Sequence, residues 1–162
     1  ESYPAIESIA KSLNVPLERI SQVSDHVVII EPNREQGKQL YQLIKTQRPN
    51  LKVILLDNSE QVFSLMYGEM SIDILFFDIE AESSTDNLAL FKAISPESSV
   101  IHWSDYRHPE VIELLYSMGV NSFCTKESDV ATILEATDLA VSYPQSLYLD
   151  RDLHKCLPLL QN

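Results

Sequence analysis

Ile72-Asp73-Ile74-Leu75-Phe76-Phe77-Asp78-Ile79-Glu80 is a short, nearly unbroken apolar run that ends in a carboxylate. A run of this length, rich in Ile and Phe, predicts a strand buried on both faces, as in a parallel sheet covered by helices. In such sheets, ligand and reaction sites lie just beyond the carboxyl ends of the strands. Asp78 is therefore expected at that rim, and the other strands are read for what they bring to it.

Upstream, His26–Ile30 predicts a buried strand and Leu51–Leu56 a second. Between them Gly37, Leu40, Tyr41, Leu43 and Ile44 keep helical register from Arg34 to Gln47, until Pro49-Asn50 stops it. Asn58 or Ser59 is positioned to cap a helix through Val62, Phe63, Leu65 and Met66. Downstream, a polar loop from Ala81 to Asp86 leads to a helix carrying Leu88, Leu90, Phe91 and Ile94. Ser99–Trp103 predicts a fourth strand, Pro109–Met118 a helix stopped by Gly119, Val120–Thr125 a fifth strand and Asp129–Val141 a last helix. Five strand–helix units in strict alternation imply a doubly wound five-stranded parallel sheet, with helices on both faces and right-handed crossovers. The strand order does not follow from periodicity.

The 162 residues suffice for one domain with a proper core and an appended element. A hydrophobic fraction of 44% and a charged fraction of 22% are ordinary for a globular protein. No apolar run is long enough to span a bilayer and no signal-peptide pattern opens the chain, so no membrane association and a cytoplasmic location are expected. A net charge of −12 repels nucleic-acid phosphates, which argues against direct DNA or RNA binding by these residues. Cys124 and Cys156 have no metal-type spacing and are expected to be free thiols. His26, His102, His108 and His154 are scattered and form no metal set, with His102 expected to pack inside its strand.

Polar residues stand where the strands end: Glu31 after the first, Asp78 after the third, Ser104 after the fourth and Lys126 after the fifth. A carboxylate nucleophile, an acid to help hold magnesium, and a hydroxyl and a lysine to neutralise phosphoryl oxygens would suit a phosphorylatable aspartate. The plainer readings are an Asp78–Lys126 ion pair, a Ser104 that caps the next turn, and a Phe123 that fills the core. Trp103, at the end of its strand, is expected exposed at the rim, where it would fill a partner's pocket.

From about residue 26 to 142 the chain resembles the receiver domain of bacterial response regulators, with Lys126 inside Gly119-Val-Asn-Ser-Phe-Cys-Thr-Lys126-Glu. The resemblance implies a flavodoxin-like α/β/α sandwich with strand order 2-1-3-4-5. It also implies that Asp78 matches the phosphoacceptor, Ser104 the switch hydroxyl, Phe123 the switch aromatic and Lys126 the conserved-type lysine. Two shorter stretches point to what flanks it. Pro4–Ile20 has helical spacing at Ile6, Ile9, Ala10 and Leu13, and resembles the closing helix of a repressor-type helix-turn-helix domain. Ser146–Leu157 resembles the linker after the receiver in regulators carrying a LuxR-type DNA-binding domain. The expected division is a helical extension over 1–24, a receiver-like domain over 25–142 and a linker or helix over 143–162.

The departures from the receiver pattern shape the functional expectation. Pro32 stands where the family has a carboxylate ligand, leaving Glu31 and Asp78 as the metal-facing acids. Magnesium tolerates missing oxygen ligands poorly. Glu80 and Asp105 add acids beside Asp78 and Ser104, with Lys126 as the opposing cation. Two carboxylates about 6 Å apart repel by roughly 3 kcal/mol at an effective dielectric near 20, and a phosphoryl group adds about −1.5 to −2 charge. The expectation is an atypical, non-enzymatic receiver with weak or no phosphorylation of Asp78. It would control an output domain or a separate regulatory protein by contacts, with homodimerisation through residues 109–141 or the terminal helices. The alternative is a conventional magnesium-dependent switch in which Glu31 rescues metal binding. A flavodoxin-like enzyme or cofactor binder is disfavoured because the three glycines, Gly37, Gly68 and Gly119, form no phosphate loop.

Overall fold

The computed structural model describes residues 25–82 and 84–154, so the expectations for Pro4–Ile20 and Cys156 lie outside the described residues. Strands β1 (His26–Ile30), β2 (Lys52–Leu56), β3 (Ile74–Phe77), β4 (Ser99–Trp103) and β5 (Ser122–Cys124) alternate with helices α1 (Arg34–Gln47), α2 (Ser59–Tyr67), α3 (Asp86–Ile94), α4 (Pro109–Ser117) and α5 (Val130–Ser142). A further short strand, β6 (Tyr148–Leu149), and two 3-10 turns, Ile79–Ala81 and Arg151–Leu153, complete the chain order. All strand pairs are parallel, in the order β2-β1-β3-β4-β5-β6. The expected flavodoxin-like class and the order of the first five strands hold, but among the described residues the sheet has six strands rather than five. The correction comes from residues expected to be linker. Tyr148 pairs with Ser122 and Leu149 with Phe123, and Leu153 is buried in the core.

The side-chain alternation of a parallel sheet sorts the core into two layers. Val27, Ile29, Ile74, Phe76 and Ile101 face Leu40 and Ile44 of α1 and Ile133, Ala136 and Ala140 of α5. Val28, Ile30, Leu75, Phe77 and Phe123 face Val62 of α2, Phe91 of α3 and Ile112 and Leu115 of α4. Burying one such side chain contributes about 1.5–3 kcal/mol, so the β3 run, buried at all four positions, anchors both layers.

Local chemistry sets the helix ends. Asn33 caps α1 by accepting from Gln36 N–H at 3.1 Å, and Asp129 caps α5 by accepting from Thr132 N–H at 2.8 Å. At α2 the cap is Asn58, with Gln61 completing a capping box. Ser59 instead donates to the Glu82 carboxylate. Gly119, at φ +104°, turns the chain from α4 toward β5. Arg48, at the end of α1, holds the Asp138 carboxylate of α5 with Nε and Nη2 at 2.7 and 2.6 Å. Among the described residues no helix is long and apolar enough to cross a membrane.

Candidate functional site

The strands deliver Glu31, Asp78, Ser104 and Lys126 to one rim, as expected. Glu31 follows β1 and is held there by its own N–H, which donates to Leu56 C=O at 3.0 Å. Asp78 follows β3, where the strand stops because the Asp78 carboxylate accepts from Glu80 N–H at 2.9 Å and caps the Ile79–Ala81 turn. Lys126 follows β5 and reaches back across the rim. Its ammonium donates to Glu31 Oε1 and lies 3.4 Å from Asp78 Oδ2. The side chains of Lys126, Glu31 and Asp78 are 8%, 5% and 12% exposed. A triad so shielded from water interacts far more strongly than a surface pair.

Two partners of Lys126 escaped the sequence reading. Gln36, in the first turns of α1, accepts from the ammonium at 3.2 Å. Trp103 presents its ring face, with the ammonium 4.1 Å from the centroid. This corrects the expectation for Trp103: it is 6% exposed and packs in the α1–α5 layer. It is therefore not available to a partner's pocket. The physical reason is pleat parity, since Trp103 shares the face of Ile101 and meets the lysine that crosses above it.

The remaining acids are each turned to a nearby donor. Asp105 Oδ1 accepts from Lys126 N–H at 3.2 Å. Glu80 Oε1 lies 3.5 Å from Ser104 Oγ, and that oxygen also accepts from Tyr106 N–H at 3.0 Å, so Ser104 does cap the following turn. Phe123 is fully buried, in a T-shaped arrangement with the His102 ring at a centroid distance of 6.1 Å. His102 packs inside β4 as expected and in addition accepts from Ile79 N–H through Nε2 at 3.2 Å, next door to Asp78. Burial pushes the His102 imidazole down to about 4, so it is neutral at pH 7. Cys124 is a free, buried thiol pushed up to about 12 by that burial.

A magnesium ion does not fit this arrangement. The Glu31 oxygens already bind the Lys126 ammonium and Asn33 N–H, the latter at 3.0 Å. Those of Asp78 face Glu80 N–H and Lys126. Pro32 offers no side-chain oxygen where a further ligand would stand. Among the described residues, no group of three or more His, Cys, Asp or Glu is placed to hold a metal ion.

Comparison with protein-family models and with curated proteins finds no match. Solved structures do resemble the fold. A LuxR-family DNA-binding response regulator from Silicibacter pomeroyi superposes with a TM-score of 0.68 at 17% identity, over 79% of this chain and 98% of that one. A LuxR-family two-component response regulator from Aurantimonas sp. gives 0.73 at 13% identity, over 85% and 98%. The isolated receiver domain of RcsB from Salmonella enterica, with the phosphomimetic BeF3-, gives 0.71 at 11% identity, over 83% and 99%. The chain therefore has the receiver fold.

Proposed function

We propose that the chain is a signalling module of receiver type that acts through protein contacts, with Asp78 phosphorylated weakly or not at all. The observation that carries this reading is the occupancy of the acids. Every oxygen of the Glu31 and Asp78 carboxylates has a donor or a cation beside it within the protein. Lys126, which in a phosphorylation switch would be free to meet a phosphoryl oxygen, is spent on Glu31, Asp78, Gln36 and the Trp103 ring. Phosphorylating Asp78 would bring about −1.5 to −2 charge into a rim where Lys126 must then leave Glu31 behind, buried and unpaired. Loss of one partner from such a pair costs on the order of 3–5 kcal/mol.

The module's partner is an output domain or a separate regulatory protein, consistent with what the similar solved regulators are. Residues 109–141 are the proposed working surface: Leu114, Tyr116 and Val130 are about half exposed there, more apolar area than a solvated helix face requires. A second copy of the chain is one partner for that surface. The conventional switch keeps one observation in its favour, since Asp78 is the most open member of the triad.

Magnesium and beryllofluoride, added together and followed by amide NMR, test the reading. The expected result is no saturable shift at Asp78, Ser104, Phe123 or Lys126. Saturable shifts at those residues that vanish in Asp78→Asn would overturn it in favour of the conventional switch.

A further inference from the structure

The Lys126 side chain belongs to the rim, but the loop that carries it belongs to a second network. Thr125–Ser128 is a tight turn, with Ser128 N–H donating to Thr125 C=O at 3.1 Å and Glu127 N–H to Thr125 Oγ1 at 3.2 Å. Ser128 Oγ accepts from Thr125 N–H at 2.9 Å and donates to the Asp150 carboxylate. Asp150 is 6% exposed, and its other oxygen accepts from Asp152 N–H at 2.9 Å. The same residue sits in the C-terminal strand region: Asp150 N–H donates to Phe123 C=O at 3.0 Å and Tyr148 N–H to Asn121 C=O at 2.7 Å. Leu153 follows into the core layer that holds Phe123.

One buried carboxylate thus joins the lysine loop to β6. A buried carboxylate that loses a donor must find another or move toward water. The turn is closed by its own hydrogen bonds, and the Lys126 backbone in it donates to Asp105 Oδ1 at 3.2 Å, so a displacement of the Lys126 backbone carries Ser128 with it.

We propose that Ser128–Asp150 is a latch that passes the state of Lys126 to segment 146–154. While Lys126 is drawn into the Glu31–Asp78 pair, Ser128 faces Asp150 and β6 stays seated on β5. When Lys126 is released, the Ser128 hydroxyl turns away, Asp150 loses a donor, and β6 with the Arg151–Leu153 turn loosens. The latch goes beyond the function proposed above and does not depend on what releases Lys126, whether a phosphoryl group, a partner protein or a substitution.

Amide hydrogen exchange of the whole 162-residue chain tests it. Glu31→Gln removes the charge that holds Lys126 most closely, leaving Asp78, Gln36 and the Trp103 ring, and Ser128→Ala opens the latch at the other end. Each is expected to speed exchange at Tyr148, Asp150 and Leu153 by roughly tenfold or more, while Val28 and Ile101 keep their rates. The double variant should be no faster there than Ser128→Ala alone. Unchanged rates at residues 148–153 in Glu31→Gln, or effects that multiply in full, overturn the latch. Coupling is reciprocal, which supplies a second reading if Glu31→Gln loosens the whole fold. Asp150→Asn is then expected to shift the emission of Trp103, the single tryptophan of the chain, because the lysine on its face moves. An unshifted emission overturns the proposal as well.

Discussion

The Lys126 ammonium stands over the face of the Trp103 indole, 4.1 Å from the ring centroid, on the side of the sheet covered by α1 and α5. A desolvated cation over an indole is worth on the order of 1–2 kcal/mol. A double-mutant cycle of Trp103→Leu with Lys126→Met is expected to give a coupling of about that size in urea unfolding. Trp103→Phe should keep part of it. Additivity within roughly 0.5 kcal/mol would show that ring and ammonium are neighbours without an energetic link.

If Pro32 is what denies the rim a metal, restoring the acids should restore the response. Glu31→Asp combined with Pro32→Asp shortens the acid that Lys126 holds and adds a carboxylate beside it. The double variant is expected to show a saturable, magnesium-dependent change in Trp103 fluorescence with beryllofluoride, absent from the natural sequence. A variant that folds and stays silent would move the cause from Pro32 to the Lys126 pairing itself.

His102 makes the fold sensitive to acid. Its imidazole is held at about 4 by burial, against an ordinary 6.5. The unfolded chain therefore binds more protons between those values, so stability is fully present above pH 6.5 and is lost as pH falls toward 4. From pH 7.5 to 4.5 this one group should remove on the order of 2–3 kcal/mol. Urea midpoints for His102→Gln, which keeps an acceptor for Ile79 N–H, should fall less over that range. Parallel pH curves for the two proteins would contradict the assignment.

Two turns call for opposite substitutions. Gly119 has φ +104°, and an added Cβ would stand 2.7 Å from Lys92 Cε. Gly119→Ala is expected to cost about 1–2 kcal/mol by thermal unfolding. Glu69, by contrast, takes φ +69° with a side chain, and Glu69→Gly should be neutral or stabilising by up to about 1 kcal/mol. Equal losses at both sites would mean that backbone conformation is not what decides either.

What the sequence made legible was set by how local the cause is. The Ile74–Phe77 run announces a doubly buried strand because every one of its side chains is apolar, and the Asn58 cap acts within three residues, on Gln61 N–H. The convergence of Glu31, Asp78 and Lys126 was readable because parallel strands all end at the same rim. The partners that complete the site were not. Gln36 reaches Lys126 across 90 positions, and Trp103 meets it only through the pleat of β4. The acceptor role of His102 depends on a 3-10 turn that Asp78 itself nucleates. β6 is two half-buried residues long, too short to show any period. It exists because β5 offers it an edge.

That edge has a consequence for the molecule in a crowded solution. A five-stranded sheet would present the backbone of Ser122–Cys124 as an open template for another chain's strand. Tyr148 and Leu149 pair with Ser122 and Phe123, and β6 ends after two residues at Asp150, whose carboxylate accepts from Ser128. Among the described residues, the strand exposed on that side is only two residues long, a short template for a foreign strand. Tyr148–Leu149 thus also shields the β5 edge from pairing with another chain's strand, while β2 forms the opposite edge of the sheet.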